Sequence, residues 1–204
     1  MLRSFFIYLS KAAWARKIVT GWKFAWKAAS RFIAGDKLED AIRVIKALNE
    51  KGINATLDHL GEHTSNTEEA ARATQDILTA IDAIQQTGVR ANVSIKLTQI
   101  GFALGEEICA GNLHRILEYA REKGTFVRID MEDSPCVDAT LETYRRMLDC
   151  GLTNTGVVLQ SYLYRTEKDL KAVLEKGGKV RLPVDQPFEA ANPGLAPAVA
   201  ACLQ

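Results

Sequence analysis

The chain has 204 residues, of which 47% are hydrophobic and 25% are charged. It is therefore long enough and apolar enough to bury one globular core. The formal net charge is only +1, but residues 1–34 carry seven Lys or Arg and no Asp or Glu. Residues 35–204 hold 19 basic and 25 acidic groups, which argues against a basic nucleic-acid-binding face. No apolar run is long enough to span a bilayer.

The four cysteines, Cys109, Cys136, Cys150 and Cys202, lie far apart along the chain. They form neither a CxxC pair nor the dense framework of a disulfide-stabilised secreted domain. This pattern indicates reduced thiols in a cytosolic type of compartment, so we expect a cytoplasmic protein.

Residues 1–34 alternate aromatic and basic side chains and are predicted to form helices. Three interpretations stay open. The helices pack on the main domain, or they lie on a membrane surface with their aromatic rings at headgroup level. In the third interpretation they are an organelle transit peptide. The second would add a peripheral contact with the inner membrane.

From Gly35 onward, helix and strand patterns alternate. Asp36 and Glu39 have the spacing of a capping box at the start of the first helix. The same helix and strand unit then recurs through the chain. The predicted helices cover about residues 35–51, 67–88, 105–124, 137–151 and 167–177, and the predicted strands cover 53–57, 91–95, 126–129, 156–159 and 179–182.

A polar residue stands at the carboxyl end of every predicted strand. In chain order these residues are Asp58, Lys96, Asp130, Gln160 and Arg181. Parallel α/β folds build active sites at this position, because helices cover the faces of the sheet and leave the strand ends open. The pattern therefore predicts that these side chains converge on one site.

Five such units without a second hairpin signal predict a parallel sheet with right-handed crossovers. An open doubly wound sheet and a (β/α)8 barrel are the two candidate architectures. No GxGxxG turn follows the first strand, which argues against the doubly wound sheet. The polar strand ends favour the (β/α)8 barrel. We predict an α/β fold of the (β/α)8 TIM-barrel type. It would be incomplete, with about five βα units visible, because a whole barrel takes about 250 residues.

Four segments resemble the flavin-dependent proline dehydrogenases, in the same order and at similar spacing. The resemblance covers roughly residues 30–182 and is far more specific than a single glycine-rich loop. It divides the chain into N-terminal helices (1–34), a partial barrel (35–182) and a divergent tail rich in Pro and Ala (183–204). The matching segments are TLDHLGE at 56–62, SIKLTQ at 94–99, VRIDMEDSP at 127–135 and VLQSYLYRT at 158–166.

The resemblance implies a distorted barrel that holds non-covalent FAD over the carboxyl ends of its strands. It further implies oxidation of L-proline to pyrroline-5-carboxylate, with electrons passed to a membrane quinone or another electron acceptor. Lys96 and Asp130 match catalytic positions on the substrate side, where a cation and a carboxylate can hold a zwitterion. Gln160 and Arg181 match flavin contacts, with Arg181 near the reactive end of the ring system. Arg128 matches a position against the flavin or its phosphates.

Structural roles compete with these assignments. Lys96 and Asp130 would also serve as a structural ion pair, and we interpret Asp58 as a structural strand-end acid outside the catalytic set. Glu132 and Asp133 are expected to divide between helix-start capping and loop hydrogen bonds.

A metal site is not predicted. His59 and His63 have i, i+4 spacing beside Asp58 and Glu62, but Gly61 and residues 64–66 indicate a loop rather than a helix.

The tail departs from the family after Leu182. Residues 183–204 carry four of the five prolines, and the last three barrel strands are not visible. Nor is the family's C-terminal helix, whose paired arginines grip the substrate carboxylate. The chain thus looks truncated relative to the family, and we expect weak or absent turnover from it alone. The alternatives are a flavin-binding remnant and a half-barrel that needs a partner chain. A (β/α)8 lyase or phosphate-sugar enzyme would need a late glycine-rich phosphate loop, which the sequence lacks.

Overall fold

The computed structural model describes residues 34–35, 37–59, 61 and 64–183. The predictions for residues 1–33 and 184–204 lie outside this part of the chain. None of the described helices is long and apolar enough to cross a lipid bilayer. The main elements are α1 Leu38–Glu50, β1 Ala55–Asp58, α2 Thr67–Thr87, β2 Ala91–Ile95, α3 Glu106–Glu122, β3 Val127–Ile129, α4 Val137–Asp149, β4 Thr155–Val158, α5 Thr166–Glu175 and β5 Val180–Arg181, with short 3-10 turns at Leu97–Ile100, Phe102–Leu104 and Ser134–Cys136.

The strands form one parallel sheet in the order β1-β2-β3-β4-β5. Each strand therefore pairs with the next one along the chain. A doubly wound sheet would require this order to reverse at a switch point. Right-handed crossovers between sequential neighbours place all the connecting helices on one face of the sheet. This arrangement is the wall of a (β/α)8-type barrel, which confirms the predicted fold class.

The face of the sheet that packs against the helices is apolar. The register pairs Val93 with Val127 and Ile95 with Ile129, and it pairs Ile129 with Val157. All five side chains are buried. Because side chains alternate between the two faces of a strand, the residues between them point to the other side of the sheet.

Helices α2 and α3 supply much of the core that covers this face. In α3, Leu113, Ile116 and Leu117 recur at helical spacing and are completely buried. The start of α2 is capped by Asn66, whose Oδ1 accepts a hydrogen bond from the Glu69 backbone N–H at 2.9 Å. Glu69 Oε2 in turn accepts from the Ser65 backbone N–H at 2.7 Å, which satisfies a second backbone donor.

The predicted strand bounds are correct to within two residues, and those of β2 match. The first strand begins at Ala55 rather than Ile53, because the Ile53 backbone closes the turn after α1. Its N–H donates to the Leu48 carbonyl and its carbonyl accepts from Asn49 Nδ2, at 3.0 and 2.9 Å. The predicted capping box at α1 is wrong: Lys37 occupies the N-cap position and makes no side-chain cap hydrogen bond.

We expect Ile116→Ala to lower the free energy of unfolding by about 3 kcal/mol, because it leaves a cavity in a fully buried site. Ile53→Ala is the matched control, since Ile53 is 50% exposed, and should cost less than about 1 kcal/mol. Urea denaturation of both variants measures the difference. Equal losses would show that α3 does not pack against the sheet as described.

Candidate active site at the strand ends

The face of the sheet opposite the helices is polar and carries the five residues that the family resemblance assigns to the site. Lys96, Arg128, Asp130, Gln160 and Arg181 share this face by strand alternation. The register aligns them further. It pairs Val158 with Arg181, and the Asp130 backbone N–H donates to the Ile95 carbonyl at 2.8 Å. Lys96 and Asp130 therefore end adjacent strands at the same height.

Lys96 forms an ion pair with Asp58, the residue that ends the neighbouring strand β1. Lys96 Nζ lies 3.0 Å from Asp58 Oδ2, and the two side chains are 18% and 32% exposed. Our sequence interpretation left Asp58 out of the site as a structural acid. The structure places its carboxylate directly against the predicted catalytic lysine. The sequence contained a signal for this contact, since both residues stand at the carboxyl ends of strands that pair in parallel.

The turn that follows Lys96 is held by the side chain of Gln99 within it and by that of Glu132 from the end of β3. Gln99 accepts a hydrogen bond from the Lys96 backbone N–H and donates one to the His59 carbonyl, at 2.9 and 2.5 Å. Glu132 accepts from the backbone N–H and from the hydroxyl of Thr98, at 3.1 and 2.5 Å. Of the two roles expected for Glu132, loop hydrogen bonding is the one observed.

Three cationic side chains lie on the same face towards β5, and these are Arg128, Lys179 and Arg181. Arg128 Cζ and Lys179 Nζ lie 5.6 and 5.3 Å from the centre of the Phe126 ring, within cation–π range. Burial lowers the pKa of Arg128, the charge of Arg181 lowers it further, and Asp130 acts in the opposite direction. Two like charges near each other on a partly buried face are suited to an anionic group of a ligand.

A glycine keeps this cationic area compact. A Cβ atom at Gly156 would lie 2.9 Å from Phe126 Cζ and 2.9 Å from the Lys179 carbonyl oxygen. Any larger residue would therefore push the ring or strand β5 away. On the same face, Ser94 lies in register with Arg128, and Ser94 Oγ and Asn92 Oδ1 are buried and have no hydrogen-bond partner among the described residues. Unpaired buried oxygens of this kind are uncommon and suit a face that receives polar groups.

The loop that carries Gln160 is anchored by Thr166 and Arg165. Thr166 Oγ1 donates to the Gln160 carbonyl at 2.6 Å. Arg165 forms ion pairs with Asp138 and with Asp169, whose Oδ2 lies 2.5 Å from Arg165 Nε. These two carboxylates raise the pKa of Arg165, and Arg165 lowers the pKa of Asp138. Arg165 thus holds this loop to the starts of α4 and α5.

The metal arrangement considered from the sequence cannot be traced, because Glu62 and His63 lie outside the described residues. Within the described ranges, no group of three or more His, Cys, Asp or Glu side chains is placed to hold a metal ion.

Comparison with known families finds one match that covers most of the chain. A family model described as proline dehydrogenase matches residues 41–185. Proline dehydrogenase 1 of Bacillus subtilis (strain 168) is 36% identical over 185 residues, which are 89% of this chain and 60% of that protein. Proline dehydrogenase of Deinococcus radiodurans is 37% identical over 161 residues, 77% of this chain and 52% of its own length. The chain thus spans between half and two thirds of these relatives.

Solved structures show the same fold. Proline utilization A (PutA) from Bdellovibrio bacteriovorus superposes with a TM-score of 0.70 over 78% of this chain and 20% of its own length, at 23% identity. The corresponding protein of Bradyrhizobium japonicum gives a TM-score of 0.57 at 18% identity, over 72% of this chain and 17% of its own length. At these identities the likeness concerns the fold alone.

We expect Arg165→Met to lower the free energy of unfolding by roughly 2–3 kcal/mol, because Asp169 is only 5% exposed and would lose its counter-charge. Arg146→Met is the matched control, since its partners Glu106 and Glu107 are exposed, and it should cost less than about 1 kcal/mol. Urea denaturation compares the two. Similar losses would mean that the Arg165 pairs do not anchor the loop.

Stability should also fall at alkaline pH because of Cys109. Burial, and then the charges of Glu132 and Glu106, raise the pKa of this thiol to about 12, against about 8.5 in an unfolded chain. Between these values the unfolded state binds fewer protons, so the free energy of unfolding falls by up to about 1.4 kcal/mol per pH unit. Urea denaturation at pH 7, 9 and 10 should therefore show the difference in free energy of unfolding between wild type and Cys109→Ala decreasing as the pH rises. A constant difference between the two would contradict the buried thiol.

Proposed function

This chain belongs to the proline dehydrogenase family, and on that premise we propose that it oxidises L-proline to pyrroline-5-carboxylate with FAD. This reaction is the first step of proline catabolism to glutamate. The observation that carries the proposal is the family match over residues 41–185, which includes every polar strand end of the sheet. It agrees with the resemblance inferred from the four sequence motifs.

We assign the substrate side to Lys96 and Asp130. L-Proline is a zwitterion, and its oxidation removes two electrons and two protons from a carbon–nitrogen bond. Lys96 presents an ammonium group that attracts the substrate carboxylate, and Asp130 presents a carboxylate that attracts the ring nitrogen. Holding both ends of the zwitterion fixes the ring in one orientation, which is the protein's contribution to a reaction of this kind.

We assign cofactor binding to Arg128, Gln160 and Arg181. The cationic area and the unpaired oxygens of Ser94 and Asn92 fit a ligand that carries both anionic and hydrogen-bonding groups. Bound FAD supplies the two-electron acceptor chemistry that amino-acid side chains lack. In this assignment Arg128 and Arg181 attract negative charge, and Gln160 offers an amide from a loop that Thr166 anchors.

The electrons would leave to a membrane quinone or another acceptor, and a peripheral membrane contact through residues 1–34 would serve that transfer in an otherwise cytoplasmic protein. From the sequence we also considered weak turnover, a non-catalytic flavin-binding remnant and a half-barrel that requires a partner chain. The family match does not favour these alternatives.

The decisive measurement is the visible spectrum of the purified chain before and after anaerobic addition of L-proline. We expect a flavin spectrum that bleaches. In Lys96→Met, the L-proline concentration needed for half-maximal bleaching should rise by about 10-fold or more, because a charge-assisted contact with the substrate is lost. Lys171→Met is the control, since Lys171 pairs with Glu167 on the surface of α5, and it should match wild type.

Each contrary result addresses a different part of the proposal. A flavin spectrum that L-proline does not bleach would refute the activity of this chain. Absence of any flavin after reconstitution with FAD would refute the cofactor assignment. Equal effects of Lys96→Met and Lys171→Met would remove Lys96 from the substrate site.

A further inference from the structure

We propose that Gln99 and Glu132 are positioning residues that hold the main chain at Lys96 and thereby aim its ammonium group into the site. The importance of that aim rests on the proposed function, in which Lys96 binds the substrate carboxylate. The claim that Gln99 and Glu132 fix the position of Lys96 concerns geometry alone and can be tested separately from the proposed function.

Gln99 joins the two strand ends that carry the ion pair. Its side-chain amide is almost completely buried, at 2% exposure for the residue. One end of the amide accepts from the backbone N–H of Lys96, and the other donates to the carbonyl of His59, the residue directly after Asp58. A single amide therefore fixes the backbone beside both members of the Lys96–Asp58 pair, and sets the separation from which their side chains meet.

Glu132 adds a fixed point from the third strand. Its two carboxylate oxygens receive the N–H and the hydroxyl of Thr98, two residues after Lys96. The Thr98 carbonyl in turn accepts from the N–H and the hydroxyl of Thr64, at 3.2 and 3.0 Å. The turn Leu97–Ile100 is thus held by hydrogen bonds to residues of two other strand-end loops, and it cannot shift without breaking several of them.

A purely stabilising role does not explain this choice of residues. Placing a buried amide at Gln99 and a half-buried carboxylate at Glu132 costs free energy that apolar side chains of the same size would not cost. Such groups are useful where a backbone atom must occupy one position, since hydrogen bonds are directional and apolar contacts are not. Lysine needs this support, because its four-carbon stem is flexible and a small displacement weakens an oriented contact.

The test measures how readily Lys96 reacts with an amine-modifying reagent, with labelling at each lysine quantified by peptide mass spectrometry. Gln99→Met keeps the side-chain volume and removes both hydrogen bonds. We expect labelling of Lys96 to rise at least about threefold relative to Lys171, which corresponds to the loss of one ordinary hydrogen bond. Glu132→Leu should act in the same direction, and Glu132→Gln should return labelling close to that of wild type.

Asn154→Ala is the matched control. Asn154 Nδ2 donates to the Leu117 and Thr125 carbonyls, at 2.9 and 3.5 Å, at the opposite end of the sheet. Its removal also costs loop hydrogen bonds, but far from Lys96. We expect Asn154→Ala to leave the ratio of Lys96 to Lys171 labelling unchanged, even where its loss of stability equals that of Gln99→Met.

The proposal is overturned if Gln99→Met leaves the ratio unchanged, or raises it no more than Asn154→Ala does. Should Gln99→Met not fold, Thr98→Val decides the matter. It keeps the volume and the backbone N–H and loses only the hydroxyl bond to Glu132, and it should raise the ratio about twofold. No rise in Thr98→Val would equally overturn the proposal.

With L-proline as substrate, Gln99→Met should raise KM several-fold and change kcat little, because Lys96 acts in binding. If labelling changes as expected but L-proline bleaches no flavin even in wild type, the positioning role stands and the proposed function fails. If L-proline bleaches the flavin of wild type and labelling does not change, the positioning role fails alone.

Discussion

The parallel pairing of each strand with its successor is the constraint on which the rest of this structure depends. It directs every strand's carboxyl end to one edge and every helix to one face. Residues that lie 30 to 40 positions apart in sequence, such as Lys96 and Asp58, thereby become neighbours. Alternate side chains of each strand point to opposite faces of the sheet. One face is therefore apolar and buried against the helices, and the other is polar and carries the candidate site.

The polar face carries costs that the apolar face does not. Arg128 and Arg181 are close enough for the charge of one to lower the pKa of the other, and Ser94 Oγ is buried without a partner among the described residues. Arrangements of this kind lower stability unless a bound group compensates for them. Their position beside Lys96 and Asp130 is consistent with the proposed binding of an anionic cofactor and a zwitterion.

Around the residues that would touch ligands lies a layer of side chains that fix loops. Gln99 and Glu132 hold the turn after β2, and Arg165 holds the loop after β4. Gln99 and Glu132 contact atoms of another strand-end loop, and Arg165 pairs with carboxylates of helices α4 and α5. The positions of the site side chains therefore depend on these contacts as well as on the sheet. A substitution in one loop is expected to shift the segment that it contacts.

The sequence by itself determined the alternation of helices and strands, the bounds of β2 and the positions of Lys96, Asp130, Gln160 and Arg181 at the ends of strands. These follow from local hydrophobic periodicity and from strand alternation, which depend only on neighbouring residues. Tertiary structure alone decided that Lys96 meets Asp58, that Gln99 spans two strand ends and that Ile53 closes a turn instead of opening a strand. Side-chain contacts of this sort depend on strand register and on the paths of loops between distant segments, and local propensity carries no information about either.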